Sequence, residues 1–399
     1  MPLSPLPLAD LRVVDIGTFI AAPVAGTFLA EFGAQVIKVE MPGTGDIARQ
    51  AGEMVNGTSL WWTVEGRNKQ SITLDLRKPK GQALLKELVK VSDVLLENFR
   101  PGTLERWGLG WEDLRRVNPS LIMVRVSGFG QSGPYRHKAA YDRVAVGFGG
   151  LAYVTGFPDR PPTRPGFALA DYLTACFATI GCLVALRWRE KTGQGQMIDL
   201  ALYESILRVS ENTIPLYDRL GIVRERQGNV NPAGAPSDHF PTKDGKWVTL
   251  FVASDDQFRR LARAIGKAEW ATDPRFATLQ GRRQHIAELN GQMAQWIAQH
   301  TLQEALAVLE EAGVAAGPIY SAEDICRDPH IRERGFLVQV DDPIAGRVRI
   351  PGVTPRLSET PGAVRSPAPS LGQHNGEIYG GLLGLAADDM EHLKAEGVI

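Results

Sequence analysis

The residue that most invites chemistry is a carboxylate at the mouth of an apolar stretch. Asp171 lies in Phe167-Ala168-Leu169-Ala170-Asp171-Tyr172-Leu173-Thr174, and a nearly continuous apolar helix follows from Leu173 to Trp188, interrupted only at Arg187. Burying a carboxylate is costly unless something compensates it. An N-cap would account for it structurally, because Asp accepts hydrogen bonds from first-turn amides. The positive end of a helix also stabilises an anion and keeps it available as a nucleophile. The two roles are compatible.

Other chemistries find less support. The three cysteines, Cys176, Cys182 and Cys326, form no CxxC pair, which argues against a zinc site or a disulfide framework. Cys176 and Cys182, on the apolar helix, are expected to be buried hydrophobes, in keeping with a reducing compartment. None of the seven histidines falls in a site motif, and His239 is the only one near a linker. No metal is expected. Lys plus Arg number 44 against 45 acids, so no basic excess points to nucleic acid, and an anionic ligand would need a local cluster of bases. Met1 to Asp10 has no basic region and is broken by prolines, so no secretory signal is expected. The run Tyr172 to Leu186 is shorter than the ~20 residues of a membrane span. A cytoplasmic protein with neither membrane nor nucleic-acid partner is expected.

The elements that must position Asp171 follow from hydrophobic patterning. Leu11 to Gly17 reads as a buried strand ending in a Gly turn, Ala21 to Phe32 as a helix of small residues, and Gln35 to Glu40 as a second strand. That is a βαβ unit, the start of a parallel sheet. Strands at Ser71 to Leu76, Val94 to Glu97 and Leu121 to Val126, with helices at Gly81 to Val91 and Trp111 to Val117, predict a Rossmann-like α/β sheet over residues 10–150. The turn after the first strand, Gly17-Thr18-Phe19-Ile20-Ala21-Ala22-Pro23, lacks GxGxxG, so an NAD-dependent dehydrogenase is a remote reading. The Pro/Gly-rich stretch Gly156 to Phe167 places Asp171, and a strand is expected at Met197 to Leu200. The predicted layout is a large domain, 1–220, a linker at 221–235, a smaller α+β domain at 236–320, and a return segment, 321–399, completing the large domain. Pro351 to Gly372 is proline-broken and extended, an arm able to reach the first domain or a partner subunit.

Several ordered stretches together resemble the class III CoA-transferases, the carnitine, formate/oxalate and dicarboxylate CoA-transferases with their α-methylacyl-CoA racemase relatives. They are Glu31-Phe32-Gly33-Ala34-Gln35-Val36-Ile37-Lys38-Val39-Glu40, Arg67-Asn68-Lys69-Gln70-Ser71-Ile72-Thr73-Leu74-Asp75-Leu76, Glu97-Asn98-Phe99-Arg100-Pro101-Gly102, and Ser127-Gly128-Phe129-Gly130-Gln131-Ser132-Gly133-Pro134. Leu169-Ala170-Asp171, Lys191-Thr192-Gly193-Gln194-Gly195-Gln196 and Leu371-Gly372-Gln373-His374 complete the set. The similarity runs over residues 10–398.

The resemblance implies that Asp171 is the nucleophile. In the family an Asp attacks an acyl-CoA to give a mixed anhydride, CoA thiolate converts this to an aspartyl-CoA thioester, and the acceptor carboxylate takes over the CoA. Coenzyme A and acyl-CoA are then substrates, and no permanent cofactor is expected. By the same resemblance Phe19 and Ala21 touch adenine or ribose, Leu74 and Arg77 hold adenine and the ribose phosphate, Asn98, Phe99 and Arg100 hold pantetheine and diphosphate, and Arg106 binds phosphate. Tyr141 and Asp142 stand where racemase relatives carry a His-Asp pair. Tyr is a poor base near neutral pH because its ordinary pKa is ~10, so transfer is expected over 2-methylacyl-CoA epimerisation, with Asp142 supporting Asp171. Ala139 replaces a basic residue found two positions before that Tyr in some relatives, which removes one phosphate contact. Residues 253–257 stand where some relatives carry a run of glycines, so a glycine lid is not expected. The resemblance further implies an interlocked homodimer and, as acceptor, a small dicarboxylic acid with succinyl-CoA or a similar donor. Arg49 is the candidate anchor for the second carboxylate, because Arg binds carboxylates bidentately.

Overall fold

A computed structural model describes residues 6–231 and 233–399. The chain divides into two compact units. One comprises the described residues up to Leu151 with Arg164–Pro215 and Glu333–Ile399; the other comprises Ala152–Thr163 and Leu216–Arg332.

The first unit is built on six strands: β1 (Arg12–Asp15), β2 (Gln35–Glu40), β3 (Lys69–Thr73), β4 (Val94–Glu97), β5 (Ile122–Ser127) and β6 (Gln196–Ala201). All neighbours pair in parallel, in the order β3-β2-β1-β4-β5-β6. The runs read as strands because Val13, Val14, Val36, Ile37, Leu95, Leu96 and Met123 are buried on both faces of the sheet, as parallel strands are. The sheet extends beyond the expected 10–150: its sixth strand, β6, arrives after the long helix. Gly195 permits that arrival, since a Cβ there would lie 1.9 Å from the Leu121 carbonyl oxygen.

Helix α1 (Ala21–Glu31) is almost wholly buried, and its small residues let it lie close to the sheet. Helix α2 (Pro79–Lys90) starts with Pro at its first position, where no amide is needed. Helix α3 (Asp142–Phe148) leads toward α4 (Leu169–Thr192), which packs on α1, β5 and β6, and α5 (Leu202–Arg208) packs on α3 and α4. Helix α4 starts four residues before the expected Leu173 and ends four after Trp188. At 24 residues it is long and apolar enough to cross a membrane by length and composition, contrary to the shorter run read from sequence. One face, Ala170, Thr174, Ala175, Ala178, Cys182 and Ala185, is buried, while Ile180, Leu183, Val184 and Trp188 are exposed. Cys176 shares the exposed side and is not the buried hydrophobe expected.

The proline-broken arm turns back on its own unit. The His374 amide donates to the Ser71 carbonyl (2.9 Å) and the Ser71 amide to His374 Nδ1 (3.0 Å), while Asn375 takes the Thr73 amide (2.9 Å). These bonds satisfy the open edge of β3, which would otherwise be a template for foreign strands.

The second unit has its own core around Phe240, Val248, Phe258, Trp270, Phe276 and Met293. Its antiparallel sheet joins β7 (Ser237–Pro241), β8 (Trp247–Phe251) and β9 (Ala315–Pro318) in the order β9-β8-β7. His239 lies exposed on β7.

Four charges, three on strands and Asp46 in the loop after β2, form a buried cluster in the first unit. Lys38 sits 2.9 Å from Asp46 and 3.5 Å from Asp15, and Lys69 sits 3.2 Å from Asp15, all with side chains at most 1% exposed. Such pairs are stable only when complete, because removing one partner strands a buried charge. Lys38→Met is therefore expected to lower stability by about 3–5 kcal/mol. A urea midpoint indistinguishable from wild type would contradict this.

Candidate active site

The strand order reverses between β1 and β4, and in open parallel sheets the crevice at the carboxyl ends of such strands is where ligands sit. Here β1 ends in Gly17-Thr18-Phe19, β4 in Asn98-Phe99-Arg100, and β5 in Ser127-Gly128. Two cavities open at this point. One, of about 160 Å³, has Asp171 in its wall with Phe19, Ala21, Asn98, Arg100, Ser127 and Tyr141. The other, of about 710 Å³, is mostly apolar, with Leu74, Leu76, Arg77, Trp107 and Met41 among its lining residues. Thr18, Phe19, Phe99 and Tyr141 border both.

The walls are set by side chains that bind backbone. Asp15 Oδ1 accepts from the Gly17 amide (3.0 Å), Glu97 Oε2 from the Phe99 amide (2.7 Å), and Asp46 from the amides of Phe19 (3.0 Å) and Ala48 (2.8 Å). Burial opposes the Asp46 charge, but Lys38 and these amides outweigh it and hold the carboxyl below its usual range. Phe19 is thereby kept at φ 68°, a left-handed conformation rare for a bulky residue, with its ring 5.1 Å from Trp61. Asn98 accepts from the Thr18 amide and donates to the Thr18 carbonyl, both at 2.7 Å, so its amide group ties the β1 loop to the β4 loop. Gly128 lets residues 139–141 close against the end of β5, since a Cβ there would sit 2.3 Å from that of Ala140.

Asp171 occupies the first turn of α4, whose N-cap is Ala168. It is not the cap. The first-turn amide of Ala170 is taken instead by Asp142 Oδ1 at 2.7 Å. Among the described residues Asp171 has no ion pair or side-chain hydrogen bond. Burial first, and the Asp142 charge second, push its carboxyl up from an ordinary 3.8 to about 7. Such an acid is half ionised near neutral pH, basic enough to attack a carbonyl and weakly solvated.

Of the residues singled out from sequence, Asp171, Tyr141, Phe19, Ala21, Asn98, Phe99 and Arg100 line the small cavity, and Leu74 and Arg77 join Phe19, Phe99 and Tyr141 around the large one. Tyr141 is 73% exposed. Arg77 is held bidentately by Asp75 (2.8 and 2.9 Å). Arg106 lines neither cavity and donates to Thr103 Oγ1 (3.1 Å). Arg49 is a correction. Its guanidinium is clamped bidentately by buried Glu40 (2.6 and 2.8 Å), lies 3.9 Å over Trp62, and faces neither cavity, so it has no free fork for a substrate. The bases missed from sequence are Arg136 and Lys138, both exposed on the wall of the small cavity. They lie three and one positions before Ala139, so positive charge is displaced along the chain and not lost. The run Tyr135-Arg136-His137-Lys138 was the available signal.

Residues 8–375 match CoA-transferase family III. The chain is 52% identical over 396 residues to a succinyl-CoA–D-citramalate CoA-transferase of Chloroflexus aurantiacus, covering 99% of this chain and 98% of the relative. It is 45% identical over 398 residues to the β subunit of a succinyl-CoA–L-malate CoA-transferase of the same organism, covering 99% and 98%. The crystal structure of a CaiB/BaiF family protein from Brucella suis superposes with a TM-score of 0.85 at 35% identity, covering 95% of this chain and all of that one.

The Asp171 environment fixes two pH effects. A nucleophilic carboxylate must be ionised, so kcat/KM is expected to rise as pH passes upward through about 7 and to level off above it. For stability, the folded-state pKa lies above the ordinary 3.8, so the contribution of this group is complete below 3.8 and lost as pH rises through about 7. Asp171→Asn should therefore gain more thermal stability relative to wild type at pH 8 than at pH 5, with the gain vanishing only below about 3.8. An equal difference in Tm at both pH values would show that the acid is not raised.

Proposed function

This chain belongs to CoA-transferase family III, and from that premise we propose that it transfers CoA from succinyl-CoA to a small dicarboxylic acid through acylated Asp171. The observation that carries the reading is the raised, unpaired carboxylate of Asp171 in a cavity that borders a larger apolar one. Asp171 attacks the thioester carbonyl, the carbon–sulfur bond breaks, and CoA leaves as thiolate, giving a mixed anhydride. The thiolate then attacks the aspartyl carbonyl and releases succinate. The acceptor carboxylate repeats the two steps in reverse, and Asp171 is regenerated as the free carboxylate.

The larger cavity suits adenine and ribose, between Leu74, Leu76, Met41 and Trp107, with Arg77, paired with Asp75 but 65% exposed and on the cavity wall, presenting its outer edge to phosphate. Pantetheine then runs past Phe19, Phe99 and Tyr141 toward Asp171. Arg100, Arg136 and Lys138 supply positive charge beside the nucleophile, for the diphosphate and for the carboxylate of the substrate that does not react. Relatives named for D-citramalate and L-malate support a dicarboxylate acceptor. Asp142 acts on Asp171 by holding the start of α4 and by its charge.

Asp171→Ala is expected to bind CoA yet lose turnover by more than about a thousandfold. Wild type mixed with succinyl-CoA alone should carry a hydroxylamine-sensitive adduct on the peptide containing Asp171. With wild type, kcat/KM for citramalate, malate, mesaconate and itaconate should exceed that for butyrate and carnitine by about ten- to a hundredfold, the preference one charge-assisted contact gives. Equal rates with the monocarboxylates would refute the dicarboxylate assignment.

We also propose that the protein is a homodimer. What supports this is the exposed apolar stripe of Ile180, Leu183, Val184 and Trp188 along α4, a kind of surface that marks protein contacts. The arm that closes β3 within its own chain gives no support to interlocking. Light scattering at micromolar concentration should return twice the 43.5 kDa of the chain; a monomer would contradict the assignment.

A further inference from the structure

Ser127 ends β5, where it pairs across to Ala201, and it forms part of the wall of the Asp171 cavity. It is 7% exposed, and its hydroxyl has no hydrogen-bond partner among the described residues. The other buried hydroxyls of this unit are paired: Ser59 with the Ala51 carbonyl (2.6 Å), Thr63 with Asp342 (3.0 Å), Ser71 with Glu40 (2.6 Å), and Thr174 with Ser205 (2.8 Å). Buried polar groups are normally satisfied, and an unpaired one inside a cavity marks where a ligand completes the bonding.

The surroundings narrow what that ligand atom is. Each acyl transfer at Asp171 drives negative charge onto a carbonyl oxygen, and the usual stabilisers of that charge are backbone amides. Here the amides of Gly17, Thr18, Phe19 and Phe99 are taken by Asp15, Asn98, Asp46 and Glu97. Arg100, Arg136 and Lys138 are exposed and stand at the rim. Beside the remaining wall amides of Gly128 and residues 139–141, the hydroxyl of Ser127 is a buried interior donor without a protein partner among the described residues.

We propose that the Ser127 hydroxyl donates a hydrogen bond to the carbonyl oxygen of the acyl group undergoing transfer. This rests on Asp171 being the nucleophile. As Asp171 attacks, the carbonyl electron pair moves onto oxygen and is held by the Ser127 O–H, whose proton stays on Oγ. The pair returns as the carbon–sulfur bond breaks and CoA departs as thiolate.

The test is steady-state and single-turnover kinetics of Ser127→Ala and Ser127→Thr beside Asp171→Ala, with succinyl-CoA as donor and citramalate as acceptor. Ser127→Ala should lower kcat and the rate of adduct formation at Asp171 about 100-fold, with KM for succinyl-CoA within about twofold of wild type. Ser127→Thr, which keeps the hydroxyl, should recover to within about tenfold of wild type. Two results overturn the proposal while leaving the nucleophile intact. One is Ser127→Ala with near wild-type kcat while Asp171→Ala is inactive; the other is equal impairment of the Ala and Thr variants. An active Asp171→Ala would instead remove the nucleophile, and the Ser127 role with it.

Discussion

The structure depends on one buried electrostatic cluster, Asp15, Lys38, Asp46 and Lys69, beneath the carboxyl ends of the first strands. Taking four charges out of water is favourable only if each finds opposite charge and the remaining donors and acceptors are used. They are used on the backbone. Lys38 donates to the Gly17 carbonyl and Lys69 to that of Pro23 (2.6 Å), while Asp15 and Asp46 accept from Gly17 and Phe19. The desolvation of Lys38 is opposed by Asp15, Asp46 and Glu40, whose charges raise its pKa overall. The cluster therefore fixes a turn that the residues themselves would not choose, with Phe19 held left-handed between two cavities.

Against that background Asp171 is distinct because it is left uncompensated. Glu31 has Arg67, Glu40 has Arg49, Glu97 has Arg125, and Asp46 has Lys38. Asp171 has only another acid, Asp142, and Asp142 spends an oxygen on the Ala170 amide that a cap would otherwise serve. Burial raises Glu97 to about 7 as well, but Glu97 faces Arg125 and binds the Phe99 amide, whereas Asp171 is raised in a cavity wall with no cation beside it. Division of labour among buried acids of this kind is a common basis for assigning chemical roles.

Much of this was legible in the sequence. Strands Gln35–Glu40 and Val94–Glu97 and helix Trp111–Val117 came out with the expected ends, because their apolar runs are bounded by clear turn signals. The ends of α4 did not: Leu169 and Ala170 extend it one way and polar Arg189 to Thr192 the other, and apolar patterning cannot see a helix continued by polar residues. Asp171 was visible from its setting, but its lack of a partner was not, since the capping oxygen comes from Asp142, far earlier in the chain. Arg49 shows the opposite failure. Its attraction to carboxylates was read correctly, but Glu40, which satisfies it, is brought there by the fold. Lys38 and Lys69 were not singled out, although a lysine inside or at the edge of a buried strand must be paired.

The missing glycine fingerprint now has a physical meaning. In dinucleotide-binding sheets the first turn and helix offer free amides and a positive helix end to a pyrophosphate. Here α1 begins with buried Ala21, Ala22 and Pro23, and the amides of Gly17, Thr18 and Phe19 are already bound to side chains of the same unit. A turn whose amides are spent cannot cradle phosphate, but it can present rings and a hydroxyl to an uncharged thioester. The bases that remain, Arg77, Arg100, Arg136 and Lys138, lie on the cavity walls after the strand ends and not in the helix mouth. On the proposed reading the same strand order that elsewhere grips a diphosphate at its centre grips an acyl group there, and pushes the phosphates outward to arginine and lysine.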